Sequence, residues 1–89
     1  MLHTRKWHVE IYIDEHDDST RAEARLTTQD ATVTIGRGRA HRNPHDTNVP
    51  EIGDELATAR ALADLSHQLV DAAVQDVEAV THSPAHFGG

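Results

Sequence analysis

The chain has 89 residues, a hydrophobic fraction of 37% and a formal net charge of −7, which predicts one domain, residues 1–89, with a small core. It has no cysteine and one residue each of Trp, Tyr and Phe, which excludes disulfides and Cys-ligated zinc and leaves the core to aliphatic residues. No apolar run approaches the roughly 20 residues of a membrane span, and the first ten residues lack a signal-peptide core, so we expect a cytoplasmic protein with no membrane partner.

The first two predicted strands alternate between apolar and polar residues, the pattern of half-buried β-strands. In residues 6–13, KWHVEIYI, the apolar row is Trp7, Val9, Ile11 and Ile13. The polar residues 14–19 predict a hairpin loop. The next strand starts at Thr20, and its inward row is Ala22, Ala24 and Leu26. Because two of these side chains are small, we expect a helix to lie close against this strand.

Residues 31–35 predict a third strand with Val33 and Ile35 on the core face. The short connections indicate an antiparallel meander over about residues 6–40. Regular continuation into the glycine–arginine segment GRGRA would bring Arg37 and Arg39 to the core face, where unpaired charges are almost never buried. We therefore expect either a bulge at the glycines or a strand that runs past the edge of the core, and both place the arginines at a rim.

A connector over residues 41–50 leads to a predicted helix over about residues 51–81, followed by a flexible tail at 82–89. Pro50 and the acidic residues after it suit a helix start. The apolar stripe at helical spacing consists of Ile52, Leu56, Ala59, Leu62, Ala63, Leu69, Val70, Ala73, Val74, Val77 and Val80. The opposite side carries Arg60, Asp64, His67, Asp71, Gln75 and Glu78. The predicted fold is α+β, a three-stranded antiparallel meander packed on one long C-terminal helix.

The predicted helix is too long for the predicted sheet. Thirty residues of helix span roughly 45 Å, whereas a strand of eight residues spans roughly 27 Å. The apolar stripe from Leu69 to Val80 therefore needs either a kink that folds it back or a second subunit, and we favour a homodimer. The predicted interface residues are Leu69, Val70, Ala73 and Val77.

The sequence contains no convincing catalytic or metal-binding motif. Two histidine pairs have the i, i+4 spacing of metal ligands, His41 with His45 and His82 with His86, but prolines fall within or beside both pairs and we expect solvated side chains. The three serines lack the context of a nucleophile, and the glycine–arginine segment lacks the residues of a P-loop. We expect a protein that is not an enzyme, with no cofactor, no metal and no small-molecule substrate.

Charge is distributed unevenly along the chain. Residues 1–42 hold seven basic and seven acidic side chains, whereas residues 43–89 hold one arginine and eight acidic side chains. Any contact with phosphates should therefore use the first half. The candidate nucleic-acid-binding residues are Arg21, Arg25 and Arg42. For Arg37 and Arg39 two interpretations remain open, a structural joint with Glu51, Asp54 or Glu55, which we favour, and phosphate contact.

The segments TRAEARL and GRGRAHRNPHDTNVPEIGDELATARALADLSHQL resemble a family of small actinobacterial proteins of unknown function, over roughly residues 7–75. The resemblance implies an α+β fold like that of double-stranded-RNA-binding domains and association as dimers. It also implies a likeness in shape to ribosome hibernation factors and a link to hypoxic or dormancy responses. Together with the arginines, it suggests a non-enzymatic stress-associated protein that binds RNA or the ribosome. The alternative is a dimeric protein–protein interaction module that binds no nucleic acid.

Overall fold

A computed structural model of the chain describes residues 3–43 and 47–82. Its strands β1 (His8–His16), β2 (Ser19–Thr27) and β3 (Val33–His41) form an antiparallel sheet in the order β1-β2-β3. One helix follows, α1 (Pro50–Thr81). The predicted meander with a long C-terminal helix is confirmed. Within the described ranges, no helix has both the length and the apolar character needed to cross a membrane.

The strands are longer than the alternating pattern suggested, and the first loop is shorter. β1 runs through Glu15 to His16, so the predicted hairpin loop at 14–19 shrinks to a tight turn. Asp17 in this turn has φ 53°, a left-handed value that Asp tolerates better than most residues. Most of the predicted tail, and residues 44–46 of the predicted connector, lie outside the described residues.

The core is built from small side chains where α1 crosses β2 and β3. Ala22, Ala24 and Leu26 of β2 are buried, as predicted from their alternation. The rest of the buried set is Ala40 of β3 and Ala57, Ala61 and Leu65 of α1. Since the facing residues are mostly alanine and glycine, the helix backbone lies directly on the sheet.

Two glycines of β3 make this close approach possible. A Cβ atom built on Gly36 would lie 2.7 Å from the Cβ atom of Leu65, and one on Gly38 would lie 2.8 Å from the carbonyl carbon of Arg60. Both distances are far below van der Waals contact, and several of the closest atoms belong to the helix backbone, which cannot move aside. Glycine is therefore a steric requirement at both positions.

The predicted core face of β3 was wrong. The register pairs Leu26 with Thr34 and Ala24 with Gly36, so the even-numbered residues of β3 face the helix. Val33 and Ile35 lie on the outer face, away from α1, and Val33 is 54% exposed. The pairing runs without interruption from Ser19–His41 to Thr27–Val33, so no bulge reverses the alternation. The prediction placed Val33 and Ile35 in the core because they are large and β-branched, but the positions under the helix, 36 and 38, have room only for glycine.

The helix also buries a different side from the predicted stripe. Its buried residues, Ala57, Ala61 and Leu65, belong neither to the predicted apolar stripe nor to the predicted polar side. Leu56 and Leu62 from that stripe are each 42% exposed. The most apolar stripe was expected to face the sheet, but the close packing on β3 selects the stripe with the smallest residues.

Strand β1 is left largely uncovered. The helix packs on β2 and β3 and scarcely touches β1. Val9, Ile11 and Ile13 do share the helix side of the sheet, since they pair with Leu26, Ala24 and Ala22. Their exposed fractions nevertheless lie between 37% and 46%, so the predicted row is on the predicted face without being buried.

The helix is continuous over its 32 residues, which excludes the predicted alternative of a kink that folds it back. At 1.5 Å per residue it spans about 48 Å, whereas the nine-residue strands span about 30 Å. It ends at Thr81, and the next residue, His82, has a left-handed φ of 58° and donates its N–H to the Glu78 carbonyl. Its last turns therefore extend beyond the sheet.

The β2–β3 connection is held by one carboxylate. The Thr28 hydroxyl and the Thr32 N–H both donate to Asp30 Oδ1, and these bonds lower the pKa of Asp30. The Ala31 N–H donates to the Thr28 carbonyl at 3.0 Å. Ala31 has φ 66°, a conformation that is unfavourable for a residue with a Cβ atom.

Replacing Gly38 tests the close approach of the helix. We expect Gly38→Ala to lower the free energy of unfolding by roughly 1–3 kcal/mol, because the added methyl group must push α1 away from β3. Arg39→Ala is the matched control, since it adds no atoms and changes an exposed neighbour on the opposite face. Its effect should stay within about 0.5 kcal/mol. Equal effects in urea denaturation would contradict the steric argument.

Replacing Ala31 tests the strain in the turn. We expect Ala31→Gly to stabilise the protein by roughly 0.5 kcal/mol, because relief of the left-handed alanine exceeds the entropy that glycine gains in the unfolded chain. The same change at Ala63, an exposed helical position, should destabilise by roughly 1 kcal/mol. Thermal or chemical denaturation that gives the two variants the same sign would show that the turn is not strained.

Candidate nucleic-acid interface

The outer face of the sheet, away from α1, carries four arginines. The register pairs Arg21 of β2 with Arg39 of β3, and Glu23 with Arg37. Arg25 is paired with Ile35, two positions further along. Arg21 and Arg25 were predicted to lie on this face. Arg37 and Arg39 also lie on this face, because β3 continues as a regular strand. They had been expected at a rim of the sheet, and that expectation was wrong.

Two of these arginines share one carboxylate. Glu23 lies between them and accepts from Arg25 Nη2 at 3.2 Å, and its other oxygen lies 3.5 Å from Arg37 Nε. The Arg25 guanidinium also lies over the ring of Tyr12, 4.7 Å from the centroid. The Tyr12 hydroxyl donates to Glu10 Oε2 at 2.7 Å, and this bond raises the pKa of Tyr12. Arg25 and Arg37 are therefore held in place by neighbours on the same face.

Arg21 and Arg39, the other two arginines of this face, form no ion pair with a described carboxylate. Arg21 and Arg39 are exposed, and across residues 3–43 and 47–82 no carboxylate oxygen forms an ion pair with either guanidinium. Asp14 is the register partner of Arg21 on β1, yet it lies outside ion-pair distance. Because the two arginines face each other across the β2–β3 pair, this part of the face holds two positive charges that no ion pair within the described residues neutralises.

The predicted joint between the arginines and the first turn of the helix was wrong. Arg37 pairs with Glu23 on the outer face, and both arginine side chains lie on the opposite side of the sheet from Glu51, Asp54 and Glu55. The prediction assumed that the chain would carry the arginines towards the helix start. The regular strand carries them to the other face instead.

Helix side chains do contact β3, but through its backbone. Arg60 Nη1 donates to the Arg39 carbonyl at 2.7 Å, and Gln68 Nε2 donates to the Ile35 carbonyl at 2.7 Å. Between them, the Arg37 N–H donates to Asp64 Oδ2 at 2.8 Å. These groups belong to the free edge of the sheet, so three helix residues occupy hydrogen-bonding sites that another strand would use. Arg60 and Asp64, predicted to face away from the sheet, therefore anchor the helix to it.

Arg42, the third predicted phosphate-binding residue, lies elsewhere. Its Nη2 pairs with Asp18 Oδ1, and its backbone N–H donates to the Asp18 carbonyl at 2.7 Å. Both side chains are about one-third exposed. The contact ties the end of β3 to the β1–β2 turn. Arg42 thus lies apart from the other arginines and is paired with Asp18, contrary to the expectation that it would be available for phosphate, whereas Arg25 shares its carboxylate, Glu23, with Arg37.

A cleft of about 290 Å³ lies between the β1–β2 turn, the end of β3 and the start of α1. Among the described residues, its charged lining consists of Glu15, Asp17, Asp18 and Arg42, together with His41. The carboxylates outnumber the single arginine, which is already paired with Asp18. This balance is unsuited to an anion. Of the predicted histidine pairs, His45 and His86 lie outside the described residues, and within the described ranges no three His, Asp or Glu side chains are grouped as metal ligands.

The predicted dimer residues are only partly suited to an interface. Val70, Ala73 and Val77 are exposed on α1, whereas Leu69 is partly buried and packs against the core. Exposed apolar residues also lie on β1, whose apolar row the prediction placed in the core. Ile13 and Leu62 line a shallow groove between β1 and the helix. The sequence did contain a signal that β1 would stay uncovered. The inner residues of β2 and β3 include alanine and glycine, and such small residues indicate the strands on which the helix packs.

Three comparisons place the chain among known proteins. Uncharacterized protein Mb1767 of Mycobacterium bovis is 53% identical over 81 residues, which cover 91% of this chain and 85% of that protein. Uncharacterized protein Rv2632c of Mycobacterium tuberculosis strain H37Rv is 47% identical over 76 residues, 85% of this chain and 81% of that protein. The crystal structure of Rv2632c matches with a TM-score of 0.84 at 43% identity, over 93% of this chain and 98% of that one. The Rv2632c-like family model matches residues 5–86, and the chain belongs to the Rv2632c-like family.

Proposed function

We propose that this protein is a non-enzymatic RNA-binding protein that contacts the RNA backbone with the outer face of β2 and β3. The observation that carries the proposal is the gathering of Arg21, Arg25, Arg37 and Arg39 on one face, with a single glutamate between them. Arginine forms paired hydrogen bonds with phosphate oxygens. The resemblance of the sequence to a family compared with ribosome hibernation factors supports ribosomal RNA as the partner, in a stress or dormancy response.

The same face favours contact with phosphates and 2′-hydroxyls over contact with bases. RNA-recognition sheets stack bases on two or three exposed aromatic rings. On the outer face of the three strands, Tyr12 is the sole Phe, Tyr or Trp residue, and the Arg25 guanidinium covers its ring. Affinity on this face would come from charge and would depend on salt more than on sequence.

The placement of negative charge supports the same surface. Most of the acidic residues after position 43 lie on α1, on the opposite side of the sheet. An RNA strand is repelled from that side and attracted to the arginines. Within the described residues the two sides thus differ in charge, and the arginines of the outer sheet face suit a polyanion better than the acidic helix does.

Salt dependence of RNA affinity tests the proposal. We expect Arg21→Gln and Arg39→Gln each to weaken binding to a short RNA duplex and to reduce the slope of log K against log salt by about 1. Arg60→Gln is the control, since it removes the same charge from the helix side, and thermal melting must show that loss of its bond to the Arg39 carbonyl leaves the variant folded. It should leave the slope unchanged. Fluorescence anisotropy that finds no binding at 50 mM salt, or equal effects of all three variants, would contradict an RNA-binding outer face.

A second candidate function, a dimeric interaction module, is supported by the contrast between the two edges of the sheet. At the β3 edge, side chains from α1 bond to the backbone of Ile35, Arg37 and Arg39. At the β1 edge, within the described residues, nothing similar covers the strand. An open edge beside an exposed apolar row pairs readily with another strand. A second copy that brings its own β1 would extend the sheet and place its own apolar row beside Val9, Ile11 and Ile13.

Substitution of the exposed row tests this candidate. We expect the wild-type protein to sediment as a dimer at micromolar concentration, and Ile11→Asp to weaken association at least tenfold, because it would bury a charge in the interface. Val33→Asp is the control, a β-branched residue on the other edge strand that is 54% exposed, compared with 37% for Ile11. Val77→Asp separates association through the helix from association through β1. A monomeric wild-type protein at high micromolar concentration would exclude the candidate.

A further inference from the structure

One corner of the outer face brings four hydrogen-bonding side chains together. The register pairs Ser19 with His41, and two residues further along it pairs Arg21 with Arg39. Side chains directly opposite each other have Cβ atoms roughly 5 Å apart, and residues two apart along a strand are roughly 7 Å apart. We call this group, Ser19, Arg21, Arg39 and His41, the arginine corner.

The arginine corner brings together two guanidinium groups that form no ion pair with a described carboxylate, although Asp14 of β1 lies opposite Arg21 in the register. Like charges directly opposite each other in a sheet are destabilising. The other arginines of this region each have an ion-pair partner. Arg25 and Arg37 share Glu23, and Arg42 pairs with Asp18. Arg21 and Arg39 form no ion pair with any described residue. An anion held between them would remove the repulsion, as Glu23 does for its two arginines.

The remaining two residues add donors suited to a phosphate. Ser19 Oγ and His41 Nδ1 lie 3.3 Å apart, so they form one hydrogen bond whose direction depends on the histidine tautomer. When Nδ1–H donates to Oγ, the hydroxyl hydrogen is left to donate to a ligand. The corner then offers two guanidinium forks and a hydroxyl to an anion with several oxygens.

We infer that the arginine corner binds a phosphomonoester group, either the 5′-terminal phosphate of an RNA or the phosphate of a small phosphorylated molecule. Two facing guanidinium groups match the charge of about −2 on a phosphomonoester, whereas each internal phosphodiester carries a single charge. The RNA form of this inference rests on the proposed function and deepens it, because it assigns the chain end to the corner and the internal phosphates to Arg25 and Arg37.

The test compares one single-stranded RNA 12-mer with a 5′-phosphate and the same 12-mer with a 5′-hydroxyl, together with ribose 5-phosphate alone. We expect the 5′-phosphorylated RNA to bind at least tenfold more tightly than the 5′-hydroxyl form, and ribose 5-phosphate to compete with it. In the double variant R21Q/R39Q the preference should disappear. In R25Q/R37Q both RNAs should bind more weakly by a similar factor, so the preference should remain. Thermal melting of each variant confirms that it is folded.

The outcomes separate this inference from the RNA proposal. Equal binding of the two RNAs, without competition by ribose 5-phosphate, would support an RNA-binding face and overturn the corner as a phosphomonoester site. Binding of ribose 5-phosphate that R21Q/R39Q abolishes, with no binding of the 5′-hydroxyl RNA, would support the corner and contradict a general RNA-binding face. Absence of binding to all three ligands would overturn both. Loss of the preference in R25Q/R37Q would also overturn the assignment to the corner.

Discussion

The close contact between the helix backbone and β3 is the constraint on which the rest of the structure depends. It exists because Gly36 and Gly38 have no Cβ atom and because Ala57 and Ala61 present only methyl groups to the strand. A core of this kind contains little apolar volume, so its stability must come from a short distance between backbones and from many weak contacts. It also fixes the position of the helix over two strands of the three, and the other features of the surface follow from that position.

The off-centre helix gives the sheet two unlike edges and two unlike faces. On the β3 side the helix reaches over the edge with Arg60, Asp64 and Gln68, while on the β1 side an apolar row remains open. On the outer face the regular alternation of β3 adds Arg37 and Arg39 to the arginines of β2. Because Gly36 and Gly38 must lie under the helix, the alternation of the strand places Arg37 and Arg39 on the solvent-exposed face.

The order and type of the elements could be predicted from the sequence, because alternation and helical spacing are local properties. The faces of β3 and α1 could not, since hydrophobicity pointed to Val33, Ile35 and Leu62, whereas packing selected glycine and alanine. The four candidate arginines of β2 and β3 were recognised individually. Their gathering on one face depends on strand parity, which the wrong core assignment reversed. The bonds between the strand backbone and Arg60, Asp64 and Gln68 could not be predicted from the sequence, because polar residues at helical spacing are normally solvated.

The three contacts at the β3 edge also set a limit on length. Successive contacts advance by four residues along the helix, about 6.0 Å, and by two residues along the strand, about 6.8 Å. The two repeats are nearly commensurate, so three contacts from Arg60 to Gln68 keep in step with Arg39, Arg37 and Ile35. Each further step adds about 0.8 Å of mismatch. Helix and strand therefore move progressively out of register, and each further bond of this kind on a longer strand would have poorer geometry.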